Sequence, residues 1–206
     1  FLFFFDFRSY AARKNPGALL DCFRRLQALR PWAPVVLVVK THGEEAAPAD
    51  AAALRAALAE AGPEVVFISG TLADNDVKNL VRMCDCFVSL HRSEGFGLGI
   101  AEAMALGRPT IVTAYSGNTD FCANDTNLLV DYTLVGVPDG AYPFAEGQVW
   151  AEPDTEQATN YMLRLLDDPG AGRALGRRAA RAMAMRFSHR AAGLRMLDRL
   201  AAIAAR

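Results

Sequence analysis

Lysine is nearly absent. Only Lys14, Lys40 and Lys78 stand among the 22 Lys and Arg of a 206-residue chain, so each calls for separate inspection. An excess of one charge is also missing: 22 basic residues face 23 acidic ones, for a net charge of −1. A neutral chain has no global electrostatic footprint for a phosphate backbone, which excludes a duplex-binding domain and predicts no nucleic-acid partner. Long apolar runs are missing as well. Phe1–Phe5 and Val35–Val39 fall far short of the roughly 18 residues that a membrane-spanning helix needs, so membrane contact is expected to be peripheral at most. No stretch reads as a signal peptide. The three histidines, His42, His91 and His189, lie far apart, and no His/Asp cluster has metal-ligand spacing, so no metal is expected. The four cysteines are Cys22, Cys84, Cys86 and Cys122, and Cys84-Asp85-Cys86 has no partner pair at zinc spacing. They read as buried, reduced thiols of a cytosolic protein, which places the chain in the cytoplasm.

Apolar residues make up 52% and charged residues 22%, the balance of a folded chain. The length suits one large domain or two small ones. It is enough to bury most of the apolar surface without disulfides. The chain opens at Phe1 inside what reads as a buried strand, which predicts a piece cut from a longer polypeptide.

Short apolar runs alternate with helical segments. Strands are expected at Phe1–Phe5, Val35–Lys40, Val65–Ser69, Cys86–Leu90, Thr110–Thr113 and Leu128–Val130. Helices are expected near Pro16–Leu29, Pro48–Ala61, Asp74–Met83 and Leu98–Leu106, with Asp74 as an N-cap and Gly107 as the glycine that ends a helix. The strands are unbroken rather than alternating, which marks a parallel sheet buried on both faces. Repeated β-α-β units then give an α/β, Rossmann-like, doubly wound domain with a six-stranded sheet. Residues 131–150, rich in Gly and Pro, read as a loop. The tail reads as helices over Thr155–Leu166, Gly170–Arg186 and Ser188–Ala204, the last with Ala191, Leu194, Leu197 and Leu200 on one stripe.

In an open parallel sheet, ligands bind beyond the carboxyl ends of the strands, so the chemistry belongs in the turns that follow them. After the fourth strand comes His91-Arg92-Ser93-Glu94-Gly95-Phe96-Gly97-Leu98-Gly99-Ile100-Ala101-Glu102. Alternate glycines expose bare backbone at a helix start, where free N–H groups and the helix dipole attract phosphate. A carboxylate beside phosphate makes sense only where it faces hydroxyl groups as an acceptor. Glu94 and Glu102 therefore suggest two sugars flanking the phosphates. After the first strand, Asp6-Phe7-Arg8-Ser9-Tyr10-Ala11-Ala12-Arg13-Lys14 brings cations to the same edge. Arg8 and Lys14 form the pair expected to neutralise a diphosphate leaving group, with Arg13 open between ligand and solvent. After the fifth strand, Ser116 and Asn118 read equally as helix caps or as ligand contacts. His91 reads as structural packing. No G-x-x-x-x-G-K-[ST] occurs, which excludes a P-loop, and the glycine run has neither the spacing nor the place of a dinucleotide fingerprint.

Glu94-x7-Glu102, within S-E-G-F-G-L-G-I-A-E-A-M-A-L-G-R-P, resembles the E-x7-E signature of the retaining glycosyltransferases of family 4, the group 1 transferases of GT-B fold. F-D-F-R-S-Y-A-A-R-K-N-P, C-D-C-F-V-S-L-H-R-S-E-G-F-G-L and V-W-A-E-P-D resemble further segments of that family's C-terminal domain, so the likeness covers essentially the whole chain. The resemblance implies one domain, residues 1–206, that binds a nucleotide-sugar donor such as GDP-mannose or a UDP-sugar. It places the ribose on Glu102 and the donor sugar on Glu94. Gly95, Phe96, Gly97 and Leu98 would offer backbone to the sugar or phosphates, and Arg8 and Lys14 would hold the diphosphate. The base would lie near Ser69–Leu72, on Gly70 and Thr71. The implied reaction is hexose transfer with retention, generally without a bound metal or other cofactor. The acceptor, a glycan or a lipid-linked sugar, would bind to an N-terminal half that this chain lacks. The last helix would pack back toward that half. A non-catalytic nucleotide-sugar-binding module and a GT-B sugar-nucleotide epimerase are the alternatives. The loop Ser116-Gly117-Asn118-Thr119-Asp120 departs from the Gly-Gly-x-x-Glu common in the family, so contacts there are not carried over.

Overall fold

In a computed structural model that describes residues 1–205, six parallel strands form one sheet in the order β3-β2-β1-β4-β5-β6. The strands are β1 (Leu2–Asp6), β2 (Leu37–His42), β3 (Val65–Ser69), β4 (Phe87–Ser89), β5 (Thr110–Thr113) and β6 (Leu128–Val130). The helices are α1 (Ala11–Lys14), α2 (Pro16–Leu29), α3 (Pro48–Glu60), α4 (Asp74–Met83), α5 (Leu98–Ala105), α6 (Thr155–Asp167), α7 (Pro169–Phe187) and α8 (His189–Ala204). This is the doubly wound arrangement expected, with C-terminal helices appended. The strand order reverses between β1 and β4, so the loops that follow these two strands part to opposite sides and leave a crevice at the carboxyl edge.

The central strands are buried on both faces, as their unbroken apolar runs require. Leu2, Phe3, Phe5, Phe87, Val88, Ile111 and Val112 are all buried. Each such side chain contributes about 1.5–3 kcal/mol relative to full exposure. Pro16 opens α2, whose apolar stripe of Leu19, Phe23 and Leu26 is buried. Gly107 takes a φ of +73° after α5 and donates its N–H to the Met104 carbonyl at 3.0 Å, the expected glycine stop. Asp154 caps α6 by accepting from the Glu156 and Gln157 N–H groups, both at 2.9 Å.

Three expectations are corrected. β2 runs two residues later than expected, because Thr41 and His42 pair in register with Phe5 and Asp6 of β1. Ala73 rather than Asp74 is the N-cap of α4. Residues 131–150 are not a plain loop: β7 (Tyr132–Gly136) and β8 (Val149–Pro153) form an antiparallel pair apart from the main sheet. The partners are separated by a connection rich in Gly and Pro, which hides the alternation of β7. Cys22, Cys86 and Cys122 are buried and Cys84 is partly exposed, all as free thiols. Burial pushes Cys22 and Cys84 up to about 11 and Cys122 up to about 12, so they are protonated and inert at neutral pH. Among the described residues no helix is long and apolar enough to cross a membrane.

Candidate functional site

The loops after β1 and β4 meet at the switch point. Lys14, the last residue of α1, donates directly to the Glu94 carboxylate, and the two side chains keep only 14% and 11% of their surface. Burial pulls the Lys14 ammonium below its ordinary value, and the neighbouring Glu94 carboxylate pulls it back up. Arg13 joins them. Its guanidinium donates to the carbonyls of Ser93 (2.9 Å) and Ser9 (3.0 Å) and lies 3.5 Å from Glu94. Arg13, left open between ligand and solvent, is thus a fixed strut of the site.

Arg8 stands apart from this pair. Its side chain is 60% exposed, contacts Glu45 and lies 3.7 Å from Asp6. The expected Arg8–Lys14 clamp is therefore split into a buried cation on Glu94 and an exposed one at the rim, paired with Asp6 and Glu45.

The glycine turn matches its expected geometry in part. Gly97 sits at φ +90° as the N-cap of α5, a left-handed conformation that suits glycine. Open space surrounds the position of a Cβ on Gly95. Leu98, at the first turn of α5, is 70% exposed. The Phe96 ring is engaged with Phe121, at 4.8 Å, so its backbone is what a ligand would meet. Gly99 has a different reason: a Cβ there would come within 2.8 Å of the Phe4 ring under the helix.

Glu102 projects from the next turn of α5. Burial raises its carboxyl, the Lys78 ammonium of α4 lowers it, and the Asp74 carboxylate raises it again. At the end of β3, Gly70 takes φ +101° with open space where a Cβ would stand, and its N–H donates to the Thr41 carbonyl at 3.0 Å. Thr71 follows it without regular structure. Sequence reasoning missed a neighbour of this segment. Glu44 accepts from the hydroxyls of Thr41 (2.6 Å) and Ser69 (2.9 Å). Burial alone would raise the Glu44 carboxyl, but these hydroxyls and nearby backbone N–H groups hold it below its usual value. Nothing in the sequence pairs residues 41, 44 and 69; only the parallel register of β2 and β3 does.

The loop after β5 clasps the glycine turn instead of capping a helix. The Ser116 hydroxyl accepts the Glu94 N–H at 2.6 Å, and the Gly117 N–H donates to the Glu94 carbonyl at 3.0 Å. Asn118 is buried. Its amide donates to the Thr113 carbonyl (2.9 Å), and its oxygen lies 3.0 Å from Nε2 of His91. The Tyr115 carbonyl also faces Nε2 (3.3 Å), and the Ser89 hydroxyl faces Nδ1 (3.0 Å). Two acceptors on one side assign the proton to Nε2, so Nδ1 accepts from Ser89. His91 is structural packing, as expected. Burial pulls its imidazole below the ordinary value. An unfolded chain binds a proton near pH 6.5 that the native state refuses, so stability is complete above that pH and falls as pH drops below it. Thermal melts from about pH 8 to about pH 5 are expected to show this decline, flattened in His91→Gln, with each 1 kcal/mol worth about 2–4 °C.

Arg92 was also missed as more than a spacer. Its guanidinium holds Glu152 of β8 at 2.7 Å and the Ala12 carbonyl of α1 at 2.8 Å. Its backbone N–H donates to the Arg13 carbonyl (2.8 Å), and its carbonyl accepts the Ala151 N–H (3.0 Å). One residue thus ties β8, α1 and the glycine turn together. Three non-glycine residues around the site, Tyr10, Asn15 and Ser116, take positive φ values of 65°, 56° and 68°. Such backbone is costly and clusters at functional sites. An apolar cavity of about 530 Å³ lined by Leu2, Val36 and Leu80 lies at the amino ends of the strands, away from all these groups. Among the described residues no group of three or more His, Cys, Asp or Glu is placed to hold a metal ion.

Residues 3–182 match the family model described as glycosyl transferases group 1. Mannosylfructose-phosphate synthase from Agrobacterium fabrum is 46% identical over 52 residues, 25% of this chain and 12% of that protein. Sucrose-phosphate synthase from Thermosynechococcus elongatus matches 99% of this chain and 45% of its own, with a TM-score of 0.73 and 21% identity. HepE from Anabaena, solved with UDP-glucose, matches 98% of this chain and 49% of its own, at TM-score 0.71 and 16% identity. The C-terminal domain of LpcC, a group 1 family protein from Francisella tularensis, matches 91% of this chain and 86% of its own, at TM-score 0.70 and 17% identity. The chain thus spans about half the length of the larger solved structures, and nearly all of an isolated C-terminal domain. On this family model the chain belongs to the group 1 glycosyltransferases, and its fold is that of a GT-B C-terminal domain.

Proposed function

We propose that this domain binds a nucleotide-sugar donor and that the protein it belongs to transfers a hexose, with retention of configuration, to a glycan or lipid-linked acceptor held by an N-terminal half. The observation that carries this reading is the buried Lys14–Glu94 contact at the switch point, beside the bare-backbone start of α5. A diphosphate seated there meets the N–H groups at the start of α5 and the cations of Lys14 and Arg13, which stabilise the charge that develops on the leaving group. Arg8 closes on the diphosphate from the rim. Glu94 turns its carboxylate to the donor sugar, and Glu102 takes the ribose hydroxyls. The base lies on Gly70 and Thr71. No metal is needed for this assignment of charge. UDP-glucose in HepE and the mannosyl chemistry in the name of the Agrobacterium fabrum protein support a hexose donor. In this reading the exposed stripe of α8, Leu194, Leu197 and Leu200, packs against that N-terminal half. The reaction runs in the cytoplasm, at the inner face of the membrane where the acceptor is lipid-linked.

Calorimetric titration with GDP, UDP and ADP, and then with the matching sugar nucleotides, tests this. One nucleotide is expected to bind saturably, and Glu102→Ala and Lys14→Ala are each expected to weaken it by about tenfold or more, the worth of a charged hydrogen bond. Sugar transfer by residues 1–206 alone is expected to be slow or absent. Failure of all three nucleotides to bind, or binding indifferent to both substitutions, overturns the reading.

A further inference from the structure

A second cavity of about 530 Å³ opens beside the phosphate-side loop, lined by Arg8, Tyr10, Ala47, Asp50, Asp139 and Gly140. It lies between the segment after β1, the start of α3 and the connection between β7 and β8. Its volume is within the range of small-ligand sites, about 300–1,000 Å³. Two carboxylates, Asp50 and Asp139, stand at its wall. The one basic residue in the lining, Arg8, is already engaged by Asp6 and Glu45, so among the described residues neither carboxylate has an ion-pair partner. The cavity is therefore rich in acceptors and poor in donors.

Tyr10 lines the same opening, and Tyr142 packs on it. The Tyr10 and Tyr142 rings meet edge to face at 4.9 Å, and both remain partly exposed. Tyr10 holds its wall from a left-handed φ of 65°, which costs a tyrosine about 1–3 kcal/mol. Strand β8, which follows the connection that carries Asp139 and Tyr142, is anchored to α1 through Arg92 and Glu152.

Carboxylate acceptors take hydroxyl donors, and an aromatic face takes an apolar C–H face. A ligand that presents both, carries no negative charge and fits this volume is a neutral saccharide. We propose that the cavity between Tyr10, Asp50 and the β7–β8 connection is a saccharide-binding subsite, which holds a non-reacting unit of the acceptor glycan on this domain. Its role as an acceptor subsite rests on the donor reading above; the binding itself does not.

Saturation-transfer NMR on residues 1–206 tests it, with maltotriose, mannotriose and cellotriose as probes at millimolar concentration. At least one trisaccharide is expected to bind saturably. Tyr142→Ala and Asp139→Asn are each expected to weaken it about tenfold, and Tyr142→Phe, which keeps the ring, to leave it unchanged. Thermal melts of the exposed-loop variants are expected to match the parent chain. Nucleotide titration of the same samples separates the two claims, since neither variant removes a group assigned to the donor. Absence of binding by every trisaccharide overturns the proposal, as does binding that survives both Tyr142→Ala and Asp139→Asn. Trisaccharide binding lost in these variants while no nucleotide binds would retain the subsite and remove the donor reading.

Discussion

Alanine at position 117 dismantles the candidate site without altering a charge. A Cβ there would stand 1.9 Å from the Gly95 carbonyl oxygen, 2.5 Å from its carbon and 3.0 Å from the Glu94 oxygen. All three are backbone atoms of the turn that carries Glu94, so no side chain can swing away to make room. The turn must move, and the 3.0 Å bond from the Gly117 N–H to Glu94 goes with it. Overpacking of this kind costs about 1–3 kcal/mol, and more where backbone must yield. Gly117→Ala is expected to lower the melting temperature by several degrees, at about 2–4 °C per kcal/mol, and to abolish nucleotide binding. Gly176→Ala supplies the comparison. Its Cβ would meet the Gly107 carbonyl at 2.0 Å where α7 crosses the end of α5. A similar loss of melting temperature with nucleotide binding retained is expected there. Gly136→Ala, with open space around the added carbon, is expected to melt like the parent chain. Equal nucleotide affinity in the variants at 117 and 176 would refute the assignment of the turn.

The second large effect comes from Lys14 and Glu94 taken one at a time and together. Removing one partner of a buried ion pair costs about 3–5 kcal/mol, because the remaining charge is left without compensation. Lys14→Met leaves Glu94 with Arg13 at 3.5 Å as its remaining cation. Glu94→Gln leaves Lys14 buried beside the like charge of Arg13. Lys14→Met combined with Glu94→Gln removes both charges and is expected to recover more than half of the stability lost by Lys14→Met alone. Nucleotide binding is expected to stay weak in all three. A double-mutant cycle by thermal or urea melts reads the coupling directly. Strictly additive losses would show that the contact between the two side chains carries no energy.

The sheet was legible because each strand of the core is a short apolar run, and the order of helices and strands leaves a doubly wound fold as the natural packing. The turn around Glu94 was legible because glycines at alternate positions opening a helix have few structural uses. The limits follow from the same physics. Lys14 and Arg8 look equivalent in sequence, six residues apart on one loop. Only the four-residue helix that ends at Lys14 sends that residue inward to Glu94 and leaves Arg8 at the rim. Ser116 and Asn118 have the residue types of caps, yet tertiary partners in the β4 loop claim them. Arg92 gives no signal beyond being a basic residue in a loop, because its partners, Ala12 and Glu152, are distant in sequence. The β7–β8 pair was hidden by the length of its connection.

The left-handed residues at both ends of α1 have a consequence for how a ligand is received. Tyr10 and Asn15 fix the entry and exit of the four-residue helix that bears Arg13 and Lys14. That ordering is complete when the chain folds, so the entropy of immobilising the loop is not charged again on binding. On the donor reading, association with a diphosphate is expected to proceed without a slow rearrangement of this loop and to bury little new apolar surface. Its heat-capacity change is correspondingly small, the thermodynamic mark of a preorganised site as opposed to one that folds around its ligand.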